Sequence, residues 1–373
     1  MKRVFFLLIG MFIIGYACND DDYIHEETSP AATIEESVPD STAQEPDTTE
    51  APPAVSPVEP VTVPAGLSNV YLLGQAVKAI EFENEYVWAA TDSFLVRLDR
   101  LNNTITYYSY PYMDKNGSSY KLKIDKNGLK WIARSEYLQH GNSIYESYSS
   151  SIYSFNENQW TKIKSFGYGE ISSLALDKNN NKWIAKLGNN GLYVVEQERC
   201  VQYTPENSGL VYNYVAQVAS DKEGNIWVAN YGNLGGLISA DLALMKYDGN
   251  TWISHFSVKG TYLLYMSIDS HGNPWIQQLA VVYKLDMASN SWAEQITMDW
   301  PSYLHLHAID NEDRCWFISR DKGIAVYDGS DWHNYTTSNS EMPSNKVYQI
   351  KFDSDGTKWI GTANGLARLE TLP

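Results

Sequence analysis

The chain has 373 residues, with 45 acidic and 28 basic side chains and a formal net charge of −17 at pH 7. The charge is uneven, because residues 19–65 hold twelve acidic residues and no lysine or arginine, whereas residues 66–373 hold 33 acidic and 26 basic residues. The larger part is therefore only mildly acidic and lacks the basic surface that nucleic-acid binding requires.

Residues 1–17 are predicted to be a targeting segment. Two basic residues precede an apolar run, residues 4–14, that is too short and wrongly flanked for a spanning helix. The run is followed by GYAC, residues 15–18, which resembles a bacterial lipobox in which Cys18 carries the lipid, palmitate included, and becomes the new N-terminus. An ordinary secretory signal cleaved after Ala17 is the alternative.

The NDDD sequence after Cys18 resembles the acidic export signal that sends lipoproteins to the outer face of the outer membrane in one Gram-negative phylum. We therefore expect an outer-membrane lipoprotein exposed on the cell surface and held by its N-terminal lipid, with retention on the periplasmic face as the alternative. Residues 18–65, with eight of the fourteen prolines, predict a disordered acidic tether that spans on the order of 40 Å.

Residues 66–373 repeat one pattern seven times. The copies align on tryptophans spaced by 43, 52, 44, 48, 41 and 43 residues, a period typical of propellers and solenoids. These tryptophans are Trp88, Trp131, Trp183, Trp227, Trp275, Trp316 and Trp359.

An aspartate precedes the tryptophan by six residues in every copy except the first, and a residue that tolerates positive φ precedes it by three. The aspartates are Asp125, Asp177, Asp221, Asp269, Asp310 and Asp353. Such a carboxylate can accept amide hydrogen bonds within a turn, so each copy predicts a strand, a capped turn and a second strand that begins at the tryptophan. Third and fourth strands follow in most copies.

The pattern predicts an all-β fold, a seven-bladed β-propeller of four-stranded antiparallel blades. The last copy stops after its third strand, and residues 67–73 predict a strand that has no blade of its own. We expect this N-terminal strand to complete the last blade and close the ring.

The pattern D-x-x-G-x-x-W-[IV]-[AG]-[TNRK], followed by Gly-Leu and a third strand, resembles the two-component regulator propeller repeat. The resemblance covers residues 66–373 and implies an extracytoplasmic, sensor-like body that binds a ligand, here in a stand-alone lipoprotein form without the kinase that usually accompanies the family.

Two insertions, residues 134–151 and 230–243, fall in the connections from second to third strands, on the face where ligands usually meet propellers. Aromatic side chains assigned to this face suit stacking on sugars or peptides. The candidates are Trp300, Tyr303, Tyr137, Tyr145, Tyr148 and Tyr231, with Tyr110, Tyr112, Tyr168 and Tyr212 also assigned to this face. Trp300 is the one tryptophan outside the repeat, and simple coverage of blade edges is the alternative role for all of them.

Enzymatic signals are sparse. Tyr303, His305 and His307 alternate along one predicted strand, so they are expected to share a face, and the two histidines could serve a polysaccharide lyase or a glycoside hydrolase. No metal or cofactor is expected, since the calcium-like Asp353–Gly356 run lacks the later bidentate glutamate.

The sequence favours a surface-anchored, non-catalytic binding module for a glycan or a surface protein partner. An enzyme of the kind just named and an accessory subunit of a cell-surface complex are the alternatives.

Overall fold

The computed structural model describes residues 60–64, 69–110, 117–139, 146–156, 158–187, 191–196, 199–232, 242–258, 265–298, 304–319 and 321–370. The chain divides into two compact units, residues 1–50 and 51–373, and all described residues belong to the second. The predicted targeting segment, Cys18 and most of the predicted tether lie outside the described residues.

The predicted seven-bladed β-propeller is confirmed, with seven antiparallel sheets of at least four strands each. Blades one to three comprise β3 (Val77–Glu83), β4 (Tyr86–Thr91), β5 (Phe94–Asp99) and β6 (Thr104–Ser109); β7 (Gly117–Ile124), β8 (Lys130–Gln139), β9 (Glu146–Asn156) and β10 (Gln159–Tyr168); and β11 (Ile171–Leu176), β12 (Lys182–Lys186), β13 (Leu192–Glu196) and β14 (Arg199–Tyr203).

The second half of the ring repeats the same order. Blades four to seven comprise β15 (Tyr214–Ser220), β16 (Ile226–Tyr231), β17 (Leu242–Tyr247) and β18 (Trp252–Val258); β19 (Tyr265–Ile268), β20 (Pro274–Gln278), β21 (Val281–Asp286) and β22 (Ser291–Thr297); β23 (Leu304–Ile309), β24 (Cys315–Ser319), β25 (Gly323–Tyr327) and β26 (Trp332–Tyr335); and β27 (Val347–Phe352), β28 (Lys358–Thr362) and β29 (Gly365–Leu369), completed by β2 (Val70–Tyr71).

The repeat tryptophans build the core. Within the described residues, buried apolar side chains form one cluster at each of the seven interfaces between neighbouring blades, and each repeat tryptophan packs toward the blade that follows it. Trp227, for example, lies with Met266 and Ile276 of blade five. One large aromatic per blade thus buries the sheet faces that a lone blade would leave open to water.

The aspartates cap the turns between first and second strands, and we call this side of the ring the turn face. Asp125 Oδ1 accepts the backbone N–H groups of Asn127 and Leu129, and its Oδ2 accepts Nε1–H of Trp131 at 2.9 Å. The same tryptophan-to-aspartate bond recurs at 2.8–3.3 Å in blades three to six. One carboxylate therefore fixes both the turn and the ring of the core tryptophan.

Blades one and seven depart from this arrangement. In blade one, which lacks the aspartate, Glu83 Oε2 accepts Nε1–H of Trp88 at 2.8 Å from a position one residue closer. In blade seven, Asp353 keeps the backbone turn but forms an ion pair with Arg100 of blade one, and no described residue hydrogen-bonds to the buried Nε1 of Trp359. The last aspartate thus holds the ring seam.

The N-terminal strand completes blade seven, as predicted. Strand β2 pairs with β29 through Val70 opposite Ala367, and the Tyr71 ring stacks on Trp359 with centroids 5.9 Å apart. Strand β1 (Val61–Pro64), within the stretch expected to be tether, pairs along β6 as a fifth strand of blade one. The Val-Thr-Val alternation suits an edge strand, with Pro64 at its end. Strands β1 and β2 therefore pair with the outer edges of blades one and seven, the two blades that flank the ring seam.

Among the described residues, none forms a helix that is long and apolar enough to cross a membrane.

Candidate functional site

The side of the ring opposite the turn face carries the connections from second to third strands, and we call it the upper face. The residue three positions after the repeat tryptophan is polar in all seven copies, and it ends or nearly ends the second strand in every blade except blade two, where β8 continues five residues beyond it. The seven are Thr91, Arg134, Lys186, Asn230, Gln278, Ser319 and Thr362, of which all but Gln278 are buried. A ring of polar side chains therefore lies beneath the upper face.

Two members of this ring are structural. Thr91 Oγ1 accepts the backbone N–H of Phe94 and donates to its carbonyl, and Thr362 Oγ1 donates to the carbonyl of Gly365. Both threonines cap tight turns that lead into the third strand. In blades one and seven, this position therefore holds a threonine that caps the connection from the second to the third strand of its own blade.

Four other members of this ring, on blades two to five, do not share one structural role. Lys186 reaches the carbonyl of Phe166 on blade two at 2.7 Å, and Arg134, with no exposed surface, pairs with Glu136. Asn230 is fully buried, and within the described part of the chain neither its amide nitrogen nor its amide oxygen has a hydrogen-bond partner, nor does Nε2 of Gln278. Unpaired buried amides cost roughly 1–3 kcal/mol each, so the fold gains nothing from them.

Blade two gives the upper face its asymmetry. Its strands β8, β9 and β10 have 10, 11 and 10 residues, against five or six in the second strands of the other blades. The insertion at residues 134–151, expected in a connection, mostly continues these strands, and Tyr137 and Tyr148 lie directly opposite each other in the register. At about 3.3 Å per residue, the four or five extra residues raise a wall of roughly 15 Å, which we call the blade-two wall.

Of the other residues predicted to contact a ligand, some are buried in the core and some lie outside the described residues. Tyr231 is only 6% exposed, and its ring packs edge-on against Tyr214 at 5.9 Å, so it is a core residue at the blade-four interface. Tyr110 is buried likewise, against Trp160. Trp300, Tyr303, Tyr145 and Tyr112 lie outside the described residues, as does most of the insertion in blade four, and they stay predictions.

His305 and His307 do not form a pair. A β-bulge interrupts β23 between Leu306 and Ala308, so the alternation that predicted a shared face fails at His307. His307 Nε2 accepts the backbone N–H of Ile350 on blade seven at 3.1 Å, while the His305 ring lies edge-on to Tyr265 of blade five. The two imidazoles thus engage opposite neighbours.

The electrostatics also oppose a general-base role for His307. Burial, together with Lys351 and Lys121, lowers the pKa of His307 to about 4. The ring is neutral near pH 7, and its Nε2 lone pair is already used by a backbone donor.

The contact made by His307 belongs to a series that sequence reasoning missed. Side chains near the channel bond to the inner strand of the following blade at several interfaces: Ser173 accepts the N–H of Val218, and Gln217 bonds both N–H and carbonyl of Met266. These polar residues stitch successive blades together, and their only sequence signal is a polar residue inside an otherwise apolar first strand.

One group of metal-ligating types comes together on the turn face among the described residues. Ligand atoms of Asp269, His271 and Asp313 lie within 4.8 Å of one another. The Lys284 ammonium already bridges two of them, 3.2 Å from Asp269 and 2.7 Å from Asp313. Because Asp269 also caps its turn and binds Trp275, this group is explained by the fold.

Comparison with known proteins identifies the fold. No protein-family model matches the chain, and no curated protein matches it. Among solved structures, the extracellular domain of the hybrid two-component system protein BT3049 from B. thetaiotaomicron is 18% identical with a TM-score of 0.53, covering 84% of this chain and 41% of that one. This chain therefore spans less than half of that domain.

Two further structures are similar over almost their whole length. A catalytically inactive virginiamycin B lyase from Staphylococcus aureus with quinupristin is 13% identical, with a TM-score of 0.55 over 84% of this chain and 100% of that one. YCF48 bound to D1 peptide is also 13% identical, with a TM-score of 0.53 over 87% and 100%. At these identities, the comparisons show that the chain is a β-propeller of a shape used in several different proteins.

Proposed function

We propose that the protein is a non-catalytic binding module of the two-component regulator propeller type, which takes a glycan or a protein partner on its upper face. The observation that carries the proposal is the asymmetry of that face. The second strand of blade two is four or five residues longer than the described second strands of the other blades, and the resulting blade-two wall places Tyr137 opposite Tyr148 in the register. A wall beside a shallow ring offers an extended ligand one lateral surface.

The polar ring beneath the face supports the same proposal. Blades one and seven use this position for turn caps, whereas the amide of Asn230 and Nε2 of Gln278 have no hydrogen-bond partner among the residues that the structure describes. Unsatisfied buried amides near an end of a blade are understandable where a bound molecule or its water completes them. Among the solved structures, BT3049 is an extracellular domain and YCF48 binds a peptide, which suits a binding role.

The test is binding of the purified chain to a glycan array and to candidate surface proteins. In a matched variant, residues 137–148 are replaced by Asn-Gly, joining Glu136 to Ser149, which already face each other in the register, so that the ion pair of the buried Arg134 with Glu136 is kept. We expect the variant to keep its melting temperature and to lose binding by about tenfold or more. No ligand on the array and no partner would defeat the proposal.

A second comparison concerns the tryptophan outside the repeat. Trp300→Ala should weaken binding, while Trp332→Ala, which removes a 39% exposed tryptophan at the turn face of blade six, should not. Equal losses of binding affinity in both variants would contradict ligand binding at the upper face.

We further propose that Cys18 anchors the protein on the outer surface of the outer membrane. Labelling of growing cells with a palmitate analogue should mark the wild type and not Cys18→Ala. Protease treatment of intact cells should then digest the propeller, and protection in intact but not in permeabilised cells would favour the periplasmic face instead.

A further inference from the structure

Three charged residues occupy equivalent places on the innermost strands of blades one, two and seven. Glu81, Lys123 and Lys351 each lie opposite the repeat tryptophan of their own blade in the strand register. The other four blades carry only small residues there, Ala175, Ala219, Ser267 and Ala308. The charges are thus departures from the repeat.

The three side chains meet at one atom. Glu81 Oε1 accepts a hydrogen bond from Lys123 Nζ at 2.7 Å and from Lys351 Nζ at 2.8 Å. Blades two and seven are not neighbours, because blade one lies between them, so their lysines reach the same oxygen from either side at the central channel. The side chains of Glu81, Lys123 and Lys351 keep 15%, 29% and 25% of their accessible surface, so none of the three is sealed from solvent.

The cluster has more positive than negative charge. Two ammonium groups share one carboxylate, and Lys121 lies on the same face of β7 as Lys123, close enough to His307 to lower its pKa. Burial raises the pKa of Glu81 but the two lysines lower it further, to about 2, so Glu81 stays ionised. His307 is neutral near pH 7 and adds no compensating charge. Among the described residues, Glu81 is thus the one carboxylate paired with both ammonium groups, and burial together with Lys123 lowers the pKa of Lys351 although Glu81 opposes this shift.

We propose that the central channel binds a small oxyanion, a phosphate or a carboxylate, against Lys123 and Lys351. The oxyanion supplies the missing counter-charge and accepts charge-assisted hydrogen bonds from the ammonium protons that Glu81 leaves free. Either a free inorganic ion or the acid group of a sugar provides this chemistry. The site is independent of the proposed function, because it requires neither the blade-two wall nor a macromolecular partner.

The experiment is isothermal titration calorimetry of the full chain at constant ionic strength, which keeps screening equal in all titrations. The probes are inorganic phosphate and glucuronic acid, with glucose as the neutral control. Saturable binding of either anion, without binding of glucose, is expected. Phosphate alone points to a free ion and glucuronic acid alone to a sugar acid, and both results support the site.

Two variants with opposite expected effects make the test specific. Lys351→Met should weaken anion binding by about tenfold, the order expected for one charge-assisted contact. Glu81→Gln should strengthen it several-fold, because the competing carboxylate is gone. Lys222→Met, which removes a 56% exposed lysine and the same unit of charge, is the control and should bind like the wild type.

The proposal is overturned if neither anion binds, or if Lys222→Met loses as much affinity as Lys351→Met. Should Lys351→Met fail to fold, Glu81→Gln decides by itself. Phosphate should raise the melting temperature of Glu81→Gln more than that of the wild type, and an equal or smaller rise would contradict the proposed anion site.

Discussion

The two ends of blade four use buried polar residues in opposite ways. At the turn face, Asp221 accepts bonds from two backbone N–H groups, from Asn225 Nδ2 and from Trp227 Nε1, and pairs with Lys246 at 3.1 Å. At the upper face, nine residues further on, Asn230 is also buried, and its amide nitrogen and oxygen have no hydrogen-bond partner in the described ranges of the chain. The same second strand thus begins in a saturated network and ends near an unsatisfied one.

This difference separates the residues that build the fold, at the turn face, from those that are free to contact a ligand, at the upper face. The turn face repeats almost unchanged through blades two to six, because every blade must fix its tryptophan against the next. The upper face is free of that requirement, and its residues differ from blade to blade. Each of the following predictions strengthens or breaks this division.

The largest effect is expected from opening the ring on which both faces depend. A chain that starts at residue 74 lacks β1 and β2, and with them the stacking of Tyr71 on Trp359 and the burial of Leu72. Relative to a chain that starts at residue 60, its melting temperature should fall by about 10 °C or more. Differential scanning calorimetry measures the two melting temperatures, and equal values would contradict the closure of the ring by β2.

The next effect comes from the turn face alone. Asp221→Ala removes four hydrogen bonds and an ion-pair partner and leaves buried donors unsatisfied, so it should cost about 3 kcal/mol of unfolding free energy. Urea denaturation followed by tryptophan fluorescence gives the number. A loss below about 1 kcal/mol would mean that the aspartate is not a construction part.

His307 gives a pH-dependent effect of intermediate size. Its folded-state pKa, about 4, lies below the ordinary value of 6.5, so the unfolded chain binds the proton first. Stability is therefore fully present above pH 6.5 and is lost as the pH falls toward 4, by up to about 1.4 kcal/mol per pH unit.

In His307→Gln this part of the pH dependence should vanish, because a glutamine oxygen can accept the Ile350 N–H without titrating. The check is the unfolding free energy of both proteins at several pH values from 4 to 7. Parallel pH profiles would contradict the neutral, hydrogen-bonded histidine.

The smallest effect is expected at the upper face. Asn230→Ala deletes an amide that has no partner, so its unfolding free energy should lie between no change and about 1 kcal/mol of added stability. A clear destabilisation in the same denaturation assay would show that Asn230 supports the fold.

The fold could be predicted because its signals are local. The spacing of the tryptophans, the capped turns and the missing last strand lie in the order of the residues, and they gave seven blades and the closing strand β2. The replacement of the aspartate by Glu83 in blade one could not be predicted, because it depends on a longer side chain reaching Trp88 from a nearer position.

The candidate site was predicted less well, because it depends on positions in space. A bulge at His307 shifts the register that strand alternation assumes, and Tyr231 is buried because β16 continues through it. The polar residue three places after each tryptophan was visible in the repeat pattern. Only contacts could separate Thr91, a turn cap, from Asn230.

The most direct test of the division between the two faces repeats the comparison in blade five. There the unfolding free energies of Asp269→Ala and Gln278→Ala are measured side by side. Asp269 caps its turn and binds Trp275, whereas Nε2 of Gln278 has no hydrogen-bond partner in the part of the chain that the structure describes. We predict a loss of about 3 kcal/mol for the first variant and less than about 1 kcal/mol for the second. Equal losses would contradict the claim that the turn face builds the propeller and the upper face is free to bind.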